Sequence, residues 1–92
     1  MTREIVLVGD RTASGGVVIS GSKWDTIDGR SIARLGDDVD CPEKYPDGRP
    51  HGVNRIAEGD ASMLVDGRAV ALAGHRSECG CVLLAGHNGA VG

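Results

Sequence analysis

The sequence predicts an all-β fold, a small cone or prism of short β-hairpins and connecting strands with approximate threefold symmetry. Three observations predict it. One sequence motif occurs twice in full and once in fragments, and 15 glycines separate short apolar runs. In no stretch do the apolar residues keep the spacing of a helix. A chain of this length forms a single domain, which we expect to span residues 1–92 with no toxin extension.

The repeated motif occupies residues 21–41 and 59–79. Its Gly, Asp-Gly-Arg, Ala, Gly and Cys positions recur at one constant offset of 38 residues. A constant offset over several motifs indicates two copies of one structural unit. The sequence therefore predicts that the two segments adopt the same local structure.

A third copy of the unit is divided between the two ends of the chain. Residues 8–21 match residues 73–86, so residues 86–92 are expected to supply the first strand of this copy and residues 3–9 its second. Both termini then take the place of an Asp-Gly turn. Three copies that end in this way predict a closed, three-sided object.

Each full copy is predicted to contain a β-hairpin whose turn is Asp-Gly, because this pair tolerates the positive φ angles of a two-residue turn. Short apolar runs that end in glycine are expected to form connecting strands between the hairpins. The predicted hairpins are Trp24–Ile27 with Ser31–Leu35 and Met63–Val65 with Ala69–Ala73, and the predicted connecting strands are Val17–Ser20, Arg55–Glu58 and Val82–Ala85.

One segment departs from the repeat. Equivalent glycines are 27 residues apart at the other junctions but 38 apart here, so there are 11 extra residues in a segment that begins with Cys41 and ends with His51. The insertion contains all three prolines of the chain. We expect a loop bracketed by two potential metal ligands, and the simpler alternative is a long surface loop.

The composition narrows the possible functions. The chain has a net charge of −3 and no basic cluster, so nucleic acid is not expected as a partner. It has one Trp, one Tyr and no Phe, and a small domain with so thin a core usually needs a disulfide, a metal or a partner. The apolar run near the start is too short for a signal peptide or a membrane span, so we expect synthesis in the cytoplasm.

The cysteines suggest a metal site. The chain has three of them and no secretory signal, which favours ligands or packing over a disulfide framework. The repeat places Ser14, Cys41 and Cys79 at equivalent points, and His51 lies close to the same point of the second connector. Thiolates and imidazole are the ligands that Zn²⁺ prefers, in tetrahedral sets of four. We therefore expect Cys41, His51 and Cys79 to bind one structural zinc ion.

Two residues compete for the fourth ligand position. His75 stands where the other copies have Asp10 and Asp37, so it breaks the repeat at a place where a special role is plausible. Cys81 follows Cys79 after a single glycine, which gives both sulfurs room to turn inward. The sequence favours His75 slightly and leaves Cys81 open.

These motifs resemble the PAAR-repeat family, named for a Pro-Ala-Ala-Arg motif. The motif is represented by Ser31-Ile32-Ala33-Arg34 and by Ala69-Val70-Ala71-Leu72, each after an Asp-Gly turn, and the likeness extends over essentially the whole chain. The resemblance implies a cone-shaped domain that caps the trimeric VgrG spike of a type VI secretion system. Its broad base would pack on the spike, its tip would pierce a membrane, and it would catalyse nothing.

The resemblance also implies a zinc ion near the vertex, held by His and Cys. Carried over to this chain, the vertex ligands fall on Cys41, His51 and Cys79, and a further ligand, commonly His, falls on Ser14. Serine binds zinc poorly, and this departure leaves His75 and Cys81 as alternatives. The family further implies effector cargo and injection by the secretion system after assembly in the cytoplasm.

Three other functions compete with the spike tip. One is a small zinc-dependent hydrolase in which Glu58, Glu78 or an aspartate serves as general base, although short hairpins leave little room for a substrate pocket. Another is a thiol redox or metal-handling module built on Cys79-Gly80-Cys81, which would usually need a helix beneath its sulfurs. The last is a β scaffold for some other trimeric partner.

Overall fold

The computed structural model describes residues 4–85, in which all regular structure is β and no helix forms. No segment of this range could therefore cross a bilayer as a helix. The predicted third hairpin needs residues 86–92 and lies outside the described range. The strands are β1 (Val17–Val18), β2 (Thr26–Ile27), β3 (Arg30–Ser31), β4 (Asp38–Lys44), β5 (Pro50–Arg55), β6 (Asp60–Val65) and β7 (Arg68–Val70).

The two Asp-Gly hairpins form as the sequence predicts. Strand β2 pairs with β3, and β6 pairs with β7, both antiparallel. Asp28 and Gly29 have φ angles of 52° and 80°, and Asp66 and Gly67 have 54° and 77°. Two successive residues with positive φ define the type I′ turn, whose twist matches that of the flanking strands.

A ring of three backbone hydrogen bonds closes the chain on itself. Positions equivalent under the repeat are separated by 27 and 38 residues, and Val6, Ala33 and Ala71 form one such set. Ala33 donates to the carbonyl of Val6 over 2.9 Å, Val6 to Ala71 over 2.9 Å, and Ala71 to Ala33 over 3.0 Å. All three residues are fully buried. The ring satisfies every donor within it and leaves no open edge at this level of the fold.

A second set of equivalent contacts, in another layer of the fold, also joins the three copies around the pseudo-threefold axis. Val18, Ile56 and Leu83 are equivalent and fully buried, and each forms a β-bridge with a residue of another copy. The bridges are Val18 with Val39, Ile56 with Ser77, and Leu83 with Thr12. The core therefore consists of short aliphatic side chains arranged around the pseudo-threefold axis, with no aromatic ring among its members.

The inserted segment is a hairpin, so the prediction of a loop was wrong. Equivalent strand pairs occur in all three copies, at Arg11 with Val17, Asp38 with Arg55 and Arg76 with Val82. Two of these pairs close at once through the tight turns 12–16 and 77–81, whereas the third continues as β4 and β5. A register irregularity between Cys41 and Lys44 includes Pro42, which has no N–H to donate to a ladder.

Candidate metal centre

Three structural elements bring four potential ligands together. Cys41 lies on β4, and His51 lies on β5 next to Gly52, the residue that pairs with Cys41. Cys79 and Cys81 belong to the tight turn 77–81. One ligand atom from each of these four side chains lies within 4.8 Å of the other three. The repeat creates this meeting point because the turns of the different copies converge at one end.

The distances among these atoms fit a small tetrahedral ion. The Sγ atoms of Cys79 and Cys81 are 3.3 Å apart, and the Sγ of Cys41 is 3.4 Å from Nδ1 of His51. A tetrahedral zinc ion separates its ligand atoms by roughly 3.5 to 3.8 Å. The Sγ atoms of Cys41 and Cys81 are closer, at 2.7 Å, and would separate to share the same ion. A donor set of three sulfurs and one imidazole nitrogen binds zinc in preference to Mg²⁺ or Ca²⁺, which favour oxygen ligands.

Hydrogen bonds prepare one of these sulfurs to ionise. Burial opposes ionisation of Cys79, but hydrogen bonds with the Ser77 hydroxyl, the Cys81 thiol and the Cys81 backbone outweigh it and lower the pKa of Cys79 to about 6. For Cys41, burial and then the hydrogen bond with Cys81 raise the pKa to about 12, against a backbone hydrogen bond from Glu43. A metal ion that binds here therefore meets a thiolate at Cys79 and displaces a proton from Cys41.

The structure does not place His75 in this group. Nδ1 of His75 accepts a hydrogen bond from the backbone N–H of Leu72 over 2.9 Å. Carboxylates do the same work at the two equivalent turns, where Leu7 donates to Asp10 and Arg34 donates to Asp37, each over 2.8 Å. The imidazole therefore replaces an aspartate as the acceptor that closes a turn.

Of the four residues predicted as ligands, the structure brings Cys41, His51 and Cys79 together, and Cys81 is the fourth member of the group. The Cys-Gly-Cys sequence carried the signal for Cys81. Gly80 has a φ of 90°, which lets the chain reverse within the turn. The local geometry thus keeps both sulfurs on the side of β4.

The equivalent turn 12–16 shows why the site is not threefold symmetric. Gly16 takes the place of Cys81 there, and Ser14 takes that of Cys79. A Cβ atom at Gly16 would lie 2.6 Å from the carbonyl oxygen of Asp40 and 3.3 Å from Cα of Cys41. The backbone of β4 occupies that space, so a side chain at position 16 could not enter the centre without moving it.

The two glutamates considered as general bases bind backbone instead. Oε1 of Glu58 accepts from the N–H of Arg76 over 2.8 Å, and Oε1 of Glu78 accepts from the N–H of Arg55 over 3.1 Å. Both bonds join segments that are distant in sequence. A site with four protein ligands has the closed character of structural zinc, whereas catalytic zinc keeps a position open.

The comparison with known families agrees with these features. A family model described as the PAAR motif matches residues 8–85, which include both Asp-Gly hairpins, the inserted hairpin and all four members of the candidate metal centre. A search of curated proteins finds no match. The matched segment spans most of the 92 residues, and the chain therefore belongs to the PAAR-motif family.

Proposed function

We propose that this protein is the tip of a type VI secretion spike and caps the end of a VgrG trimer. The observation that carries the proposal is the closed ring of Val6, Ala33 and Ala71, which gives a single chain nearly equal structure in three directions. A trimer presents three like surfaces around its axis, and one pseudo-threefold chain can meet all three with similar edges. One copy per trimer is then the natural stoichiometry.

The metal centre supplies rigidity in this proposal. Cys41, His51, Cys79 and Cys81 would hold one zinc ion, which cross-links the β4–β5 hairpin to the turn 77–81. The core is built from side chains no larger than Leu7, Ile56 and Leu83, so apolar burial alone provides little resistance to deformation. Structural zinc in small domains contributes about 10–16 kcal/mol of apparent binding free energy, which appears as folding stability.

The proposed role as a spike tip also implies where the protein would act and what it would carry. The protein would assemble on the spike in the cytoplasm and leave the cell when the system fires, touching the target membrane only during puncture. Effectors would travel with the spike or bind this tip non-covalently. The protein would act mechanically and catalyse no reaction.

Co-purification with a VgrG spike from the same genome tests the proposal. The tagged chain and the spike are co-expressed, and the complex is measured by size-exclusion chromatography with light scattering. We expect one chain per spike trimer, and an unrelated trimeric β-helical protein serves as the control for non-specific association. Absence of a complex, or three chains bound per trimer, would contradict capping along the shared axis.

A further inference from the structure

The tip of the inserted hairpin is an ordered turn although it projects from the body of the fold. The backbone N–H of Tyr45 donates to the carbonyl of Arg49 over 2.8 Å, and Gly48 donates to the carbonyl of Tyr45 over 2.8 Å. Asp47 and Arg49 also form an ion pair of 2.7 Å. These contacts fix the course of the backbone on both sides of Tyr45.

The Tyr45 ring lies against the imidazole of His51. The two ring centroids are 4.2 Å apart with an angle of 46° between the planes, and the guanidinium carbon of Arg49 lies 5.1 Å from the Tyr45 centroid. The Tyr45 ring thus contacts both the guanidinium of Arg49 and the imidazole of His51, a member of the metal centre.

We propose that Tyr45 is a positioning residue for the metal centre. Its ring limits rotation of the His51 imidazole, so that Nδ1 keeps facing Sγ of Cys41 at 3.4 Å, and it covers one side of the imidazole against water. Metal-bound histidines are usually oriented by a hydrogen bond to the other ring nitrogen, and here the tilted Tyr45 ring in contact with the imidazole restricts the same rotation. The inference rests on the proposed metal centre.

This role gives the insertion two linked purposes. The extra residues carry the imidazole that the shorter turns 12–16 and 77–81 do not contain, and they fold back to hold that imidazole in place. His51 is the second residue of the return strand β5, after Pro50, and lies close to the point where the register of β4 and β5 is irregular. On an irregular strand the backbone fixes a ligand's side chain less firmly than a regular ladder does, so a neighbouring ring contributes more to its orientation.

The test compares the zinc affinity of the full chain in three forms, wild type, Tyr45→Ala and Tyr45→Phe, using competition with a chromophoric chelator. Loss of partners that orient a ligand typically lowers metal affinity 10- to 100-fold, so we expect Tyr45→Ala to weaken binding by about tenfold or more. Tyr45→Phe keeps the ring and should stay within about twofold of wild type. Trp24→Ala is the matched control, because it removes an aromatic ring that is 82% exposed on a different hairpin, and it should leave the zinc affinity unchanged.

Melting temperatures with and without zinc separate positioning from a general structural role. Tyr45→Ala should lower the melting temperature of the zinc-bound protein and leave that of the metal-free protein nearly unchanged. Equal losses in both forms, or wild-type affinity in Tyr45→Ala, would overturn the inference while leaving the metal centre itself intact. A wild-type chain that binds no zinc would overturn both.

Discussion

Leu72 donates its backbone N–H to Nδ1 of His75 over 2.9 Å, in the same way that its counterparts donate to aspartates. The residue that breaks the repeat thus preserves the repeated hydrogen bond. His75→Asp restores the side chain of the other two copies, and we expect it to keep the fold and the full metal content. Zinc analysis of the purified variant checks this, and loss of metal would assign a ligand role to His75.

His75→Leu tests how much the hydrogen bond between Leu72 and His75 contributes to the stability of the fold. It removes the acceptor and leaves the N–H of Leu72, a residue that is 6% exposed, without its bond to Nδ1. An unsatisfied buried donor costs about 1–3 kcal/mol, so the midpoint of chemical unfolding should fall while the zinc content stays the same. A variant as stable as His75→Asp would show that the bond contributes little.

Cys81→Ala tests the fourth member of the metal centre. We expect this variant to lose most of its zinc and to melt at a much lower temperature, because removing one of four ligands opens a structural site. Ser14→Ala is the matched control, since Ser14 occupies the equivalent turn and its hydroxyl is a poor ligand. Equal metal content in Cys81→Ala and wild type would remove Cys81 from the site.

The stability of the metal-free protein should depend on pH through its thiols. The pKa of Cys79 is lowered to about 6 in the fold from 9.0, so its contribution is present above pH 9 and is lost as the pH falls through 6. The pKa of Cys41 is raised to about 12, so the fold loses stability as the pH rises from 9 towards 12. Chelator-treated protein should therefore be most stable near pH 9. Thermal melts between pH 6 and 10 check this, and Cys79→Ala should abolish the rise below pH 9.

Much of the architecture could be predicted from the repeat. Equal offsets identify which residues share a place around the axis, and Asp28-Gly29 and Asp66-Gly67 specify the turns because few other pairs accept two positive φ angles. The structure of the inserted segment could not be predicted from the repeat, because the other two copies lack it. Its prolines suggest a loop, while the pairing that makes it a hairpin depends on a strand pair that continues from the body of the fold.

The sequence offered Cys81 through the Cys-Gly-Cys spacing but could not select it over His75 as the fourth member of the metal centre. A histidine that departs from the repeat looks like a special residue, but the sequence does not show that its Nδ1 already accepts the Leu72 N–H. Cys81 approaches Cys41 to 2.7 Å although the two are 40 residues apart. That contact arises when one copy packs against the next, and local spacing carries no information about it.

X-ray absorption at the zinc edge of the purified, zinc-loaded chain is the most direct test of the proposed metal centre. Cys41, His51, Cys79 and Cys81 predict one zinc ion per chain in a closed shell of three sulfurs and one imidazole nitrogen, with Zn–S distances of about 2.3 Å. A shell of two sulfurs and two nitrogens would instead implicate His75. An open shell with bound water, or protein that retains no zinc, would contradict a closed structural site.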